Sequence, residues 1–69
     1  MMAGDLACVR YDGVSILPHG SGHAVECRLG DIIIIIATPR NIGQARVAEV
    51  MWNGMLGYVH QGSITVVRN

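Results

Sequence analysis

The sequence predicts an all-β fold, a small barrel of five or six short strands, on three observations. Five consecutive isoleucines, Ile32, Ile33, Ile34, Ile35 and Ile36, lie between Gly30-Asp31 and Thr38-Pro39. Branching at Cβ stiffens each of them at χ1 and suits a pleated surface, so the run reads as a strand. Asn53-Gly54 separates two strand-like runs, which is the signature of a two-residue hairpin turn with both central residues at positive φ. Helical spacing of apolar residues is absent, and short runs with regular punctuation argue for a small antiparallel barrel.

The elements follow in order. Residues 6–11 (Leu-Ala-Cys-Val-Arg-Tyr) form a first strand, stopped by Asp12-Gly13, with residues 1–5 ahead of it expected to be disordered or loosely held. Residues 14–17 make a short second segment ended by Pro18, and residues 18–22 (Pro-His-Gly-Ser-Gly) a flexible loop. Residues 23–29 return with Ala24, Val25, Cys27 and Leu29 as candidate inward positions, and the isoleucine strand follows. Residues 38–43 read as a loop, because Pro39 cannot donate to a ladder and Asn41 and Gly43 tolerate turn geometry. Residues 45–52 and 55–60 flank the Asn53-Gly54 turn, Gln61-Gly62-Ser63 is a tight connection, and residues 64–67 close the fold.

Composition narrows the function classes. A chain of 69 residues is one domain, residues 1–69, and a domain this small often gains stability by associating. With 51% hydrophobic and 14% charged residues it has ample apolar surface to bury, which argues against disorder. Five arginines balance five acidic residues singly along the chain, so the basic stripe of a nucleic-acid binder is not visible; Arg28, Arg40 and Arg46 would have to supply it. The longest apolar run is far short of a membrane span, and Asp5 and Arg10 interrupt any signal-peptide pattern, so a cytoplasmic chain or a mature fragment is expected. Cys8 and Cys27, with no dense cysteine framework around them, read as reduced core residues.

Leu29-Gly30-Asp31 before a hydrophobic strand, the Asn53-Gly54 hairpin, and Gly57-Tyr58-Val59-His60 followed by Ser63-Ile64-Thr65-Val66-Val67 resemble a Src-homology-3-like (SH3-like) barrel, specifically the bacterial SH3 domains. The first long loop of that family would fall on residues 14–22. The resemblance implies a non-enzymatic protein- or peptide-binding module, with cell-wall peptides or other proteins as partners, and no cofactor. It also marks departures. Tyr11 stands near the end of the first strand as the family requires, but Gln44-Ala45 replaces the platform tryptophan, His60 the platform proline and Ser63 the platform tyrosine. A groove for polyproline helices cannot be built from these residues. If Asp31 marks the strand entry as in similar barrels, Ile33 and Ile35 point inward and Ile32, Ile34 and Ile36 outward.

Other candidates weigh less. His19, His23 and Cys27 have helical ligand spacing, but Gly20 and Gly22 break any helix there, so two loop histidines are the expectation and no metal site. Gly20-Ser21-Gly22 lacks the lysine of a phosphate loop. Ser15, Ser21 and Ser63 stand in no nucleophile–base order, so no catalytic residue is expected. Trp52, Asn53, Tyr58 and His60 lie on or beside one hairpin and are the expected ligand-binding residues. Ile32, Ile34 and Ile36, with Met51 and Met55 nearby, are the expected interface, through which the chain self-associates or docks on a larger protein. The alternative for that face is cover by the loop at residues 12–28. Two other function classes remain: a small oligomeric enzyme with its site at a symmetry axis, and a nucleic-acid-binding ring.

Overall fold

The computed structural model describes residues 1–67; Arg68 and Asn69 lie outside the described residues. Seven strands form one antiparallel sheet curled into a half-barrel. They are β1 (Leu6–Val9), β2 (Val14–Pro18), β3 (Val25–Cys27), β4 (Ile32–Ile42), β5 (Ala45–Trp52), β6 (Met55–His60) and β7 (Ile64–Val66), with a single 3₁₀ turn, η1 (Gln61–Ser63), before β7. Their spatial order is β3-β2-β6-β5-β4-β1-β7. Among the described residues no helix is long and apolar enough to cross a membrane.

The strand count exceeds the expected five or six because the stretch read as a long loop contains a hairpin. Val14, Ser15 and Ile16 pair with Cys27, Glu26 and Val25. Pairing of Leu17 with Tyr58 and Pro18 with Gly57 then fastens the hairpin to β6. At that crossing a Cβ on Gly57 would lie 2.8 Å from both Ile16 Cγ2 and the Leu17 carbonyl oxygen. Backbone cannot retreat there as a flexible side chain would. Gly57→Ala should therefore cost about 1–3 kcal/mol, read as a lower urea midpoint at unchanged m.

A second correction concerns residues 38–43, expected to be a loop. Strand β4 runs through them to Ile42, and only Gly43-Gln44 turn, with Gly43 at φ 61° and Ile42 opposite Ala45. The ladder tolerates Pro39 because it is interrupted there. Register shifts fall between Ile35 and Ala37 and between Ala37 and Arg40, so the missing N–H of Pro39 coincides with an irregularity instead of a paired position. The Asn53-Gly54 turn is as expected, with φ of 50° and 78° and Trp52 opposite Met55.

Strand alternation fixes the interior. Ile33 and Ile35 are 1% and 0% exposed and pack with Val9, Val14, Ile16 and Val50. Each such side chain contributes roughly 1.5–3 kcal/mol by leaving water. The first residues, expected to be loosely held, carry hydrogen bonds to β4: the Gly4 N–H donates to the Ile35 carbonyl at 2.7 Å and the Ile35 N–H to the Asp5 carbonyl at 2.9 Å. Met1 packs on the core. Both thiols are free; Cys27 is buried and Cys8 half-buried. Burial, and secondarily the Asp31 carboxylate, pushes the Cys27 thiol above its ordinary pKa. A thiol reagent should label Cys8 ahead of unfolding and Cys27 only at the rate of unfolding; fast labelling of both would contradict the packing.

Candidate functional site

The outer face of the sheet carries a row of apolar side chains that crosses four strands and ends on the residue after β7. Leu56 on β6 stands opposite Met51 on β5, Met51 opposite Ile34 on β4, and Ile34 opposite Leu6 on β1. The Val67 N–H donates to the Leu6 carbonyl at 2.8 Å, which places Val67 at the end of the same row. These five side chains are 40–47% exposed. Ile32, 52% exposed and opposite Cys8, widens the patch along β4. None of the residues in the row is charged.

Of the residues expected at this interface, the structure brings Ile34 and Met51 into a direct pair with Ile32 beside them. Ile36 is different. It is the residue skipped between the pairs Ile35–Val50 and Ala37–Glu49, and the bulge leaves it half-buried. Met55 is also different, because it pairs with Trp52 one register position away from the Met51–Leu56 pair and so falls on the opposite face. Leu6, Leu56 and Val67 escaped the sequence reading. Their period-two neighbours were visible, but their membership in the row depends on cross-strand register. The hairpin at residues 12–28 docks on β6 and leaves Ile32 and Ile34 exposed.

A second surface lies on the outer side of β5 and β6. Tyr58 faces Leu17 on one side and Glu49 on the other. The His19 ring rests against Tyr58 with centroids 4.5 Å apart, and its Nε2 is 3.8 Å from a Glu49 carboxylate oxygen. Arg40 approaches from the far side, 3.7 Å from Glu49 and 5.9 Å above the Tyr58 ring. These half-exposed contacts hold the end of the β2–β3 hairpin against β5, each contributing on the order of 1 kcal/mol or less. Beyond Tyr58, His60 stands opposite Val47. Tyr58 and His60 line a groove of about 310 Å³ with Leu17, Ile42, Ala45 and Val47.

The four residues expected to bind ligand thus separate into two pairs. Tyr58 and His60 share the groove. Trp52 packs against the core at the other end of β6, and Asn53 occupies the exposed hairpin turn beside it. His19, His23 and Cys27 do not converge: His19 joins Tyr58, the His23 N–H donates to Ser21 Oγ at 3.1 Å, and Cys27 points into the core. Ser63 Oγ lies 3.0 Å from the Tyr11 hydroxyl, and Ser15 lines the groove. Arg28 lies in the turn before β4, whereas Arg40 and Arg46 flank its far end, so the three do not share one stripe. No family model, curated protein or solved structure matches the chain.

Proposed function

We propose that the chain is a non-enzymatic, protein- or peptide-binding module of SH3-like build that self-associates through the outer apolar row. The order of strands, the Asn53-Gly54 hairpin between β5 and β6, and η1 immediately before β7 support the SH3-like reading. The observation that carries the association is the unbroken row of Leu56, Met51, Ile34, Leu6 and Val67. A contiguous apolar patch of this kind on a small domain marks a contact surface.

A second copy is the partner favoured here. The row has no charge to repel its own image, and the formal net charge of the chain is zero. Completing the burial of each side chain recovers about 1 kcal/mol, so two copies together gain on the order of 10 kcal/mol. That gain is comparable with an association cost of about 4–15 kcal/mol. Assembly is therefore expected to be concentration-dependent. Light scattering at increasing concentration should give a mass rising to at least twice 7.4 kDa. A mass fixed at the single-chain value throughout would leave a larger protein as the only partner for the row.

Within the same reading, Tyr58 and His60 are the ligand-facing pair of the module, and Trp52 serves the fold. Trp52→Ala should lower stability by about 3–5 kcal/mol at most, less for its remaining exposure, without a ligand-specific effect.

A further inference from the structure

The groove lined by Tyr58 and His60 is one half of a longer trough. Ile42, Ala45 and His60 line it and also line a second, wider depression whose other walls are Tyr11, Gln44, Arg46 and Ser63. The two halves therefore share one ridge. Their chemistry differs. The first is walled by Leu17, Val47 and the Tyr58 ring and is almost wholly apolar. Arg46 lines the second, and Arg10 is brought to the same end by donating from Nη1 to the Gly62 carbonyl, itself in the lining, at 3.3 Å.

Charge decides what such a trough takes. No acidic side chain lines either half. Among the described residues neither Arg10 nor Arg46 lies within ion-pair distance of a carboxylate; Arg46 has only the Asn41 side-chain oxygen, at 3.3 Å. The Asp12 carboxylate accepts from the Leu29 N–H at 2.8 Å and lines neither half. Two guanidinium groups with no acidic partner among the described residues, beside an apolar slot, complement a ligand that carries negative charge next to a bulky apolar group. The slot volume of about 310 Å³ is at the small end of natural ligand clefts, enough for one or two side chains.

We infer that this trough binds an extended acidic peptide segment, seating an apolar side chain between Leu17, Val47 and Tyr58 and its neighbouring carboxylates on Arg46 and Arg10. The inference rests on the reading of the chain as a binding module, but it uses a surface separate from the apolar row.

The test titrates ¹⁵N-labelled protein with the peptides Leu-Leu-Glu-Glu and Glu-Glu-Leu-Leu, capped at both ends, and with Leu-Leu-Lys-Lys as control. One acidic peptide should bind, shifting Val47 and Tyr58 in one half and Arg46 and Ser63 in the other, with affinity falling as salt is raised. Arg46→Gln should weaken it about tenfold or more, the loss of one charge-assisted contact. Equal binding of the lysine peptide, shifts confined to other surfaces, or no binding of either acidic peptide would overturn the inference. So would a thymidine oligonucleotide that binds the same arginines more tightly than the peptide does. Repeating the titration on Met51→Lys separates the two claims. Peptide binding by that variant, whatever its mass, upholds the trough, whereas association of the unmodified chain without peptide binding removes the ligand class and leaves the association reading standing.

Discussion

Replacing Ile35 by alanine should bring the chain close to unfolding at room temperature. Ile35 is fully buried, on the longest strand, opposite Val50. Its N–H and carbonyl also hold the first residues, through Asp5 and Gly4. Truncating such a side chain costs about 2–5 kcal/mol, from lost transfer energy and from the cavity left behind. A domain of this length has a total stability of only about 3–10 kcal/mol, so the loss is a large fraction of the whole. Urea unfolding followed by Trp52 fluorescence would show it as a midpoint shifted to low denaturant. A change below about 1 kcal/mol would mean that the interior is not packed as described. The same substitution at Ile32, 52% exposed on the outer face, should cost far less in a monomer.

The second large effect is on assembly and leaves the fold alone. Met51 is the middle member of the cross-strand set Leu56, Met51 and Ile34 and is 41% exposed. Met51→Lys keeps most of the methylene stem on the surface, so monomer stability should move by no more than about 0.5 kcal/mol. In a symmetric pair, however, the substitution occurs twice. Each copy loses apolar contact and brings an ammonium group against an uncharged face, where no carboxylate stands in the row to receive it. The dissociation constant should rise about a hundredfold or more. Ile34→Glu should act in the same direction, whereas Ile42→Ser, in the trough, should leave the mass unchanged. Equal masses for wild type and Met51→Lys at every concentration would remove the row from the interface.

What the sequence made legible was mostly local. Asn53-Gly54 needs no tertiary information, because positive φ at two successive positions is demanded by the turn itself. The parity of the isoleucine strand was also readable: Ile33 and Ile35 are buried, Ile32 and Ile34 exposed. That parity held only as far as the ladder stayed regular. At Ile36 the bulge resets it, and a second register shift, between Ala37 and Arg40, admits Pro39 into a strand that looked like a loop. A proline and a turn-prone Asn-Ile-Gly run are indistinguishable by composition from a true loop; only the partner strand β5 decides.

The candidate surfaces were less legible because they are made across strands. Leu6 and Val67 stand near opposite ends of the chain, yet they bracket one edge of the row through β1 and β7. The sequence holds each residue but not the register that aligns them. Trp52 shows the converse. It shares a hairpin with Tyr58, but an even spacing from Val50 puts it on the core side, which strand parity alone shows. The trough combines β2, the end of the β4–β5 hairpin, β6 and η1, and no spacing within one segment could have announced it.

The most direct measurement is a methyl and amide NMR dilution series on the unmodified chain. If two copies meet through the outer row, the signals that move with concentration will be those of Leu6, Ile32, Ile34, Met51, Leu56 and Val67, while the interior pair Ile33 and Ile35 and the trough residues Val47 and His60 stay fixed. Signals that do not move over the whole range, or movement centred on the β3 edge or the trough, would contradict the account.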